Sequence, residues 1–265
     1  MTEIGLMRGY VVMLGAVYLL VMTFAWASPT EIGSGISSGT TFPNLDTFER
    51  VQVSGSADVE IVQSDKQSVV VPGYKAQVDL ESVDGTLYIE VDELMGLRPK
   101  VHVTMSAIQE LVVVGSADVK LSGFSGDTIV IEGENSGHGI GHIQANRIRF
   151  DHLLVTGSGK FDFDLHGRAT HQDISIAGNG RYSAEGLMSQ TSVVEVVGQG
   201  RINLWTEQFI DLDATDAAQV TYRGTPWINQ QTSGSAHIQA RYPKKKAPIA
   251  YPQVYPRAQS YTTSL

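Results

Sequence analysis

Between Val51 and Ala240 the chain repeats one motif: two apolar residues in alternation, a turn of glycine and small residues, then two more apolar residues in alternation. It reads VQVSGSADVEI from Val51, LVVVGSADVKL from Leu111 and LLVTGSGKFDF from Leu153, and it returns as ISIAGNGRYSA from Ile174 and VEVVGQGRINL from Val194. Alternation places the apolar side chains on one face of a strand and the polar ones on the other. Each unit is therefore strand, sharp bend, strand. A unit this short cannot bury a core alone, but units stacked about 4.8 Å apart can. The expected fold is all-β, a parallel β-solenoid.

The expected turns are Gly55, Gly115, Gly157, Gly178, Gly198 and Gly234, with a degenerate one at Asp216. From Gly157 onward they step by 21, 20, 18 and 18 residues. Gly133 or Gly137 is expected to fill the longer gap behind Gly157. A sandwich of hairpins would explain the alternation, but not the return of the same turn in the same frame. Four strand-like runs between Gln63 and Met105 break the period: SVVV, QVDLES, TLYIEVDEL and KVHVTM. Asp84-Gly85 between two of them is a hairpin signal. The segment is expected to be an antiparallel β elaboration near the N-terminus, capping the first coils.

Residues 1–27 read as a signal peptide: a weakly positive start, an uncharged run from Tyr10, and small residues at Ala25 and Ala27 for cleavage. If it is not cleaved, the run is long enough to anchor the chain in a membrane. A linker is expected over 28–41, the β-helix domain over 42–240, and a disordered tail over 241–265, where Tyr-Pro pairs surround Lys244, Lys245 and Lys246. With no cysteine, disulfides, thiolate metal sites and cysteine nucleophiles are excluded. A net charge of -9 argues against nucleic acid as a partner.

FERVQVSGSADVEI, then GTLYIEV, then KVHVTM followed by IQELVVVGSADVKL, resembles the auto-transporter adhesin head GIN domain family (DUF2807). The resemblance spans roughly Phe42 to Ala240. It implies a right-handed parallel β-helix. It also implies an exported bacterial protein, periplasmic or at the cell surface, with no assigned activity and no catalytic residues to carry over. A transporter barrel is not expected from the 25 residues after Ala240.

The position that follows each turn should project outward. It reads Asp58, Asp118, Lys160, Arg181, Arg201, Gln219 and His237 in successive units. In register, Lys160, Arg181 and Arg201 would form a basic ladder about 10 Å long, a docking stripe for an anionic glycan, although solvated turn side chains would look the same. An envelope protein is the other partner considered. His138, His142, His152, His166 and His171 have no metal-binding frame, so no metal or other cofactor is expected. Asp162, Asp164 and Asp173 are the carboxylates that a polysaccharide-degrading enzyme on this scaffold would use. The connections are short, however, and fold analogy is a weak warrant. The expected function is a non-catalytic binding or adhesion-like module. A hydrolytic enzyme and a structural assembly module are the alternatives.

Overall fold

The computed structural model describes residues 40–41, 45–73, 78–91 and 98–241. The expected signal peptide with Ala25 and Ala27, most of the expected linker, and the expected tail from residue 242 lie outside the described residues. Among the described residues every regular element is a strand. Most hydrogen-bonded pairs are parallel and join one coil to the next, which makes the fold a β-solenoid.

Two sets of strands run the length of the stack. One is built from β2 (Arg50–Gly55), β8 (Glu110–Gly115) and β10 (Ser125–Asn135). It continues through the later parts of β11 (Gly141–Gly159), β12 (Phe161–Gly178), β13 (Arg181–Gly198) and β14 (Arg201–Ala214), and ends at β16 (Trp227–Thr232). The other is built from β3 (Asp58–Gln63) and β9 (Asp118–Ser122), then the first parts of β11 to β14, then β15 (Gln219–Arg223) and β17 (His237–Ala240). The long strands bend at their corners, where the register shifts, as between Ala145 and Ile148.

Alternation does what the sequence implies. Val53, Ile61, Leu111, Leu121, Ile131 and Val196 are among the buried residues that line the interior. Phe161, Phe163 and Tyr182 form a run of rings, with centroids 5.0 Å and 6.4 Å apart. Phe161 fits because the coils around it have no side chain there. A Cβ on Gly133 would come within 2.4 Å of its ring, and one on Gly141 within 2.2 Å. In the last described coil two inward register positions turn polar, Gln230 beside Leu212 and Thr232 beside Ala214, while Ile228 and Ile238 stay apolar.

The segment between Gln63 and Met105 is only partly antiparallel. β4 (Ser68–Val71) and β5 (Val78–Val83) pair antiparallel with β7 (Lys100–Met105) and β6 (Thr86–Val91), and β1 (Thr40–Thr41) pairs antiparallel with β4. But β6 and β7 themselves stack parallel on β2 and β3. They make a full coil, outside the one that precedes them in the chain. β2 and β3 are thus flanked on one side by β6 and β7 and on the other by β8 and β9. The hairpin signal at Asp84-Gly85 was real, but alternation alone does not say which of two neighbours a strand pairs with in which direction.

The turn at Gly157 also needs correction. Gly159 lies opposite Gly178 and carries positive φ, +72°, whereas Gly157 lies opposite the inward-facing Ile176. The preceding coil turns just after Asn135, which is in register with Gly159; Gly137 lies in that bend, its N–H donating to Oδ1 of Asn135, whereas Gly133 lies within the strand. In the Gly157-Ser158-Gly159 triplet either glycine can satisfy the sequence pattern. The backbone decides: at Gly159 a Cβ would lie 2.0 Å from the Asn135 carbonyl oxygen.

Candidate functional site

The shift at Gly159 rewrites the outward row. Asp162, not Lys160, lies opposite Arg181, and Arg181 lies opposite Arg201. Lys160 sits two residues earlier, within the turn, where its backbone N–H donates to the Asn135 carbonyl. The row runs on from Arg201 to Gln219 and His237. At its other end Asp58 and Asp118 are neighbours, with Lys100 beyond Asp58 and His142 beyond Asp118. Two carboxylates this close repel, and Arg98 sits between them. Its guanidinium is 3.2 Å from Asp58 and 2.8 Å from Asp118.

The remaining candidates separate. Asp162 and Asp164 face outward on one set of strands, whereas Asp173 belongs to the other set. Asp164 is engaged by Nε2 of His166 at 3.0 Å. The pair borders an open depression of about 290 Å³ that Ser183, Glu185 and Arg241 also line, with Glu185 and Arg241 forming an ion pair. His142 is near Asp118, and His152 stacks on His171. Among the described residues no cluster of three His, Cys, Asp or Glu side chains is placed to hold a metal ion.

Sequence reasoning missed a second outward row at a corner of the stack. Arg149 lies opposite Arg168, Arg168 opposite Met188, Met188 opposite Trp205, and Trp205 opposite Arg223. The Arg223 guanidinium lies 4.0 Å over the indole of Trp205. Three or four residues further along the chain in each coil, around the bend, runs a parallel row. His152 stacks on His171 at 4.9 Å, and Nδ1 of His171 is 2.6 Å from the Thr191 hydroxyl. Thr191 is followed by Phe209 and Trp227, whose rings stack at 5.6 Å. Trp227 is 71% exposed. The spacing of 18 residues between Phe209 and Trp227 equals the coil step and was readable in advance. The arginine pair was hidden, because the register shift before Ile148 takes Arg149 out of the repeat frame.

The wide face beyond this corner is acidic. Glu110, Glu132, Asp173, Glu195, Asp211 and Asp213 project from it, and Glu195 and Asp213 lie opposite each other. The Glu132 carboxyl is held above the ordinary carboxylate range, first by desolvation and then by the charge of Glu110.

The parallel stack with single-residue outward rows defines a β-solenoid. The chain belongs to the family described as "Putative auto-transporter adhesin, head GIN domain", whose model matches residues 47–226. No curated protein matches. Among solved structures it is similar to a putative adhesin from Bacteroides fragilis NCTC 9343, at TM-score 0.66 and 20% identity, covering 78% of this chain and 97% of that one. It is also similar to a putative lipid binding protein from Parabacteroides distasonis ATCC 8503, at TM-score 0.58 and 20% identity, covering 78% and 98%. A third, a putative adhesin from Parabacteroides merdae ATCC 43184, gives TM-score 0.57 and 17% identity over 78% and 97%. At these identities the likeness concerns the fold.

Proposed function

We propose that the chain is an exported, non-catalytic binding module of the cell envelope. It presents its outward rows to a surface partner, either an acidic glycan or another envelope protein. The observation that carries this reading is the exterior. One side chain per coil stands in register, and cationic neighbours such as Arg181 and Arg201 follow one another on a chain of net charge -9. Membership of an adhesin-described family supports the same reading. In it, residues 1–27 direct export and are removed after Ala27, so the mass of the exported form should correspond to residues 28–265.

A polysaccharide-degrading enzyme is the second reading, because Asp162 and Asp164 share a strand face. Size-exclusion chromatography of the exported protein with bacterial envelope polysaccharides separates the two. Co-elution with polymer of unchanged length supports binding, and shortened polymer overturns it. Independent elution removes glycans and leaves an envelope protein as the partner.

A further inference from the structure

We propose that the corner formed by the Arg149–Arg168 row and the His152–Trp227 row binds a linear, carboxylate-bearing polysaccharide laid along the solenoid axis. The proposal rests on the envelope-binding reading above and assigns it a site and a ligand chemistry.

Arg149 and Arg168 are direct neighbours in adjacent coils and both are exposed. Like charges placed so weaken a sheet. Elsewhere this fold answers the same problem itself: Arg98 bridges Asp58 and Asp118, and Asp162 stands beside Arg181. Among the described residues no carboxylate forms an ion pair with Arg149 or Arg168. Yet the chain carries 28 acidic residues against 19 basic ones. A ligand carboxylate supplies the missing counter-charge, and a guanidinium holds it with two parallel hydrogen bonds.

The shape of the site selects a chain. His152, His171, Thr191, Phe209 and Trp227 occupy successive coils, so the row is one residue wide and about 19 Å long. Trp227 ends it. One ring face is covered by Phe209, and the other opens beyond the last described strand of that set, offering an apolar platform to a sugar ring. The acidic face alongside repels a polyanion and confines it to the corner.

Trp205 and Trp227 are the two tryptophans of the chain outside the leader, the third being Trp26, so emission reports on the corner. The exported protein is titrated with polygalacturonate by fluorescence and by affinity electrophoresis. Retardation with a shift in emission is expected, and fully methyl-esterified polygalacturonate should bind at least about tenfold more weakly. Replacing both arginines (Arg149→Ser with Arg168→Ser) should cost at least about tenfold, and Trp227→Ala about three- to tenfold. Lys66→Ser with Lys120→Ser, which removes the same charge elsewhere, should bind like the native protein. Polymer co-elution with unchanged emission, or unchanged affinity in the corner variants, overturns the corner while leaving the envelope-binding reading intact. Retention on anionic phospholipid vesicles but not on polygalacturonate overturns the polysaccharide assignment. No retention on polygalacturonate, vesicles or envelope polysaccharide removes the corner and the glycan reading together.

Discussion

Tyr182 donates its phenolic hydroxyl to Oε1 of Gln172 at 2.8 Å, with both side chains fully buried inside the solenoid. The chain of polar groups continues. Nε2 of Gln172 donates to the Ser189 hydroxyl at 2.6 Å, Ser189 donates to the Trp205 carbonyl at 3.0 Å, and the hydroxyls of Ser192 and Thr206 meet at 2.5 Å. Such a network is tolerated in a core only when its members are satisfied. Tyr182→Phe leaves the Gln172 carbonyl oxygen without this donor. It should cost about 1–3 kcal/mol, read as a lower denaturation midpoint with an unchanged m-value.

Burial pushes the Tyr182 phenol well above its ordinary range. A phenol whose pKa is raised by folding stabilises the fold while it is protonated. The unfolded chain releases the proton near pH 10, so this contribution falls as pH rises from there toward the higher folded value. Stability measured above about pH 10 should decline less steeply in Tyr182→Phe than in the native protein.

The carboxyl of Glu132 carries the same sign at lower pH. Its pKa is raised by desolvation and by Glu110, so the ionised form is penalised in the fold. Stability from this group is greatest below the unfolded pKa, about 4.3, and declines as pH rises through the folded one. Glu132→Gln should therefore be more stable than the native protein at pH 7 and lose that advantage in acid. Thermal melts at the two pH values check it.

Gly159→Ala and Gly157→Ala test the corrected turn. Alanine at 159 meets a positive φ and a carbonyl oxygen 2.0 Å from its Cβ. It should cost about 2–4 kcal/mol or prevent folding. At 157 the nearest atoms are the side-chain ends of Phe163 and Ile176, at 2.7 and 2.8 Å, which have some freedom to move. The smaller loss in urea unfolding should fall at 157, and the reverse order would return the turn to that residue.

Arg98→Ala exposes Asp58 and Asp118 to each other. All three side chains are roughly two-fifths exposed, so the loss should be small, about 0.5–1 kcal/mol, and should shrink in high salt. Double replacement of both aspartates by asparagine should make the arginine substitution nearly silent in a melting experiment.

The solenoid was legible because its repeat carries two signals at once: alternation that sorts the faces, and glycines where neighbouring coils meet. Register was less legible. Gly157-Ser158-Gly159 offers two glycines to one turn, and a slip of two keeps every apolar residue on its own face, so hydrophobic pattern cannot detect it. Only the outward charges change partners, and that is why Lys160 gave way to Asp162. The corner row lay beyond reach for a different reason. Arg149 and Arg168 are 19 residues apart, close to the coil step, but the positive-φ residue at that corner is Arg147 in one coil and Gly167 in the next, so no repeated glycine motif marks it. Placing β6 and β7 was harder still, since nothing local distinguishes the outer side of a coil from its inner side.

That placement has a consequence for how the protein comes into being. The strands at Arg50–Gly55 and Asp58–Gln63 leave the ribosome early, yet both of their flanks are closed by later chain, one by residues up to Met105 and the other by residues up to Ser122. Until both have emerged, the earliest coil is the most exposed part of a half-made molecule, and its long-range partners make it a late step in assembly. It also means that the earliest coil in the chain is an interior layer of the stack: the outermost described layers are β6 and β7, against which β4 and β5 pair, and β16 and β17.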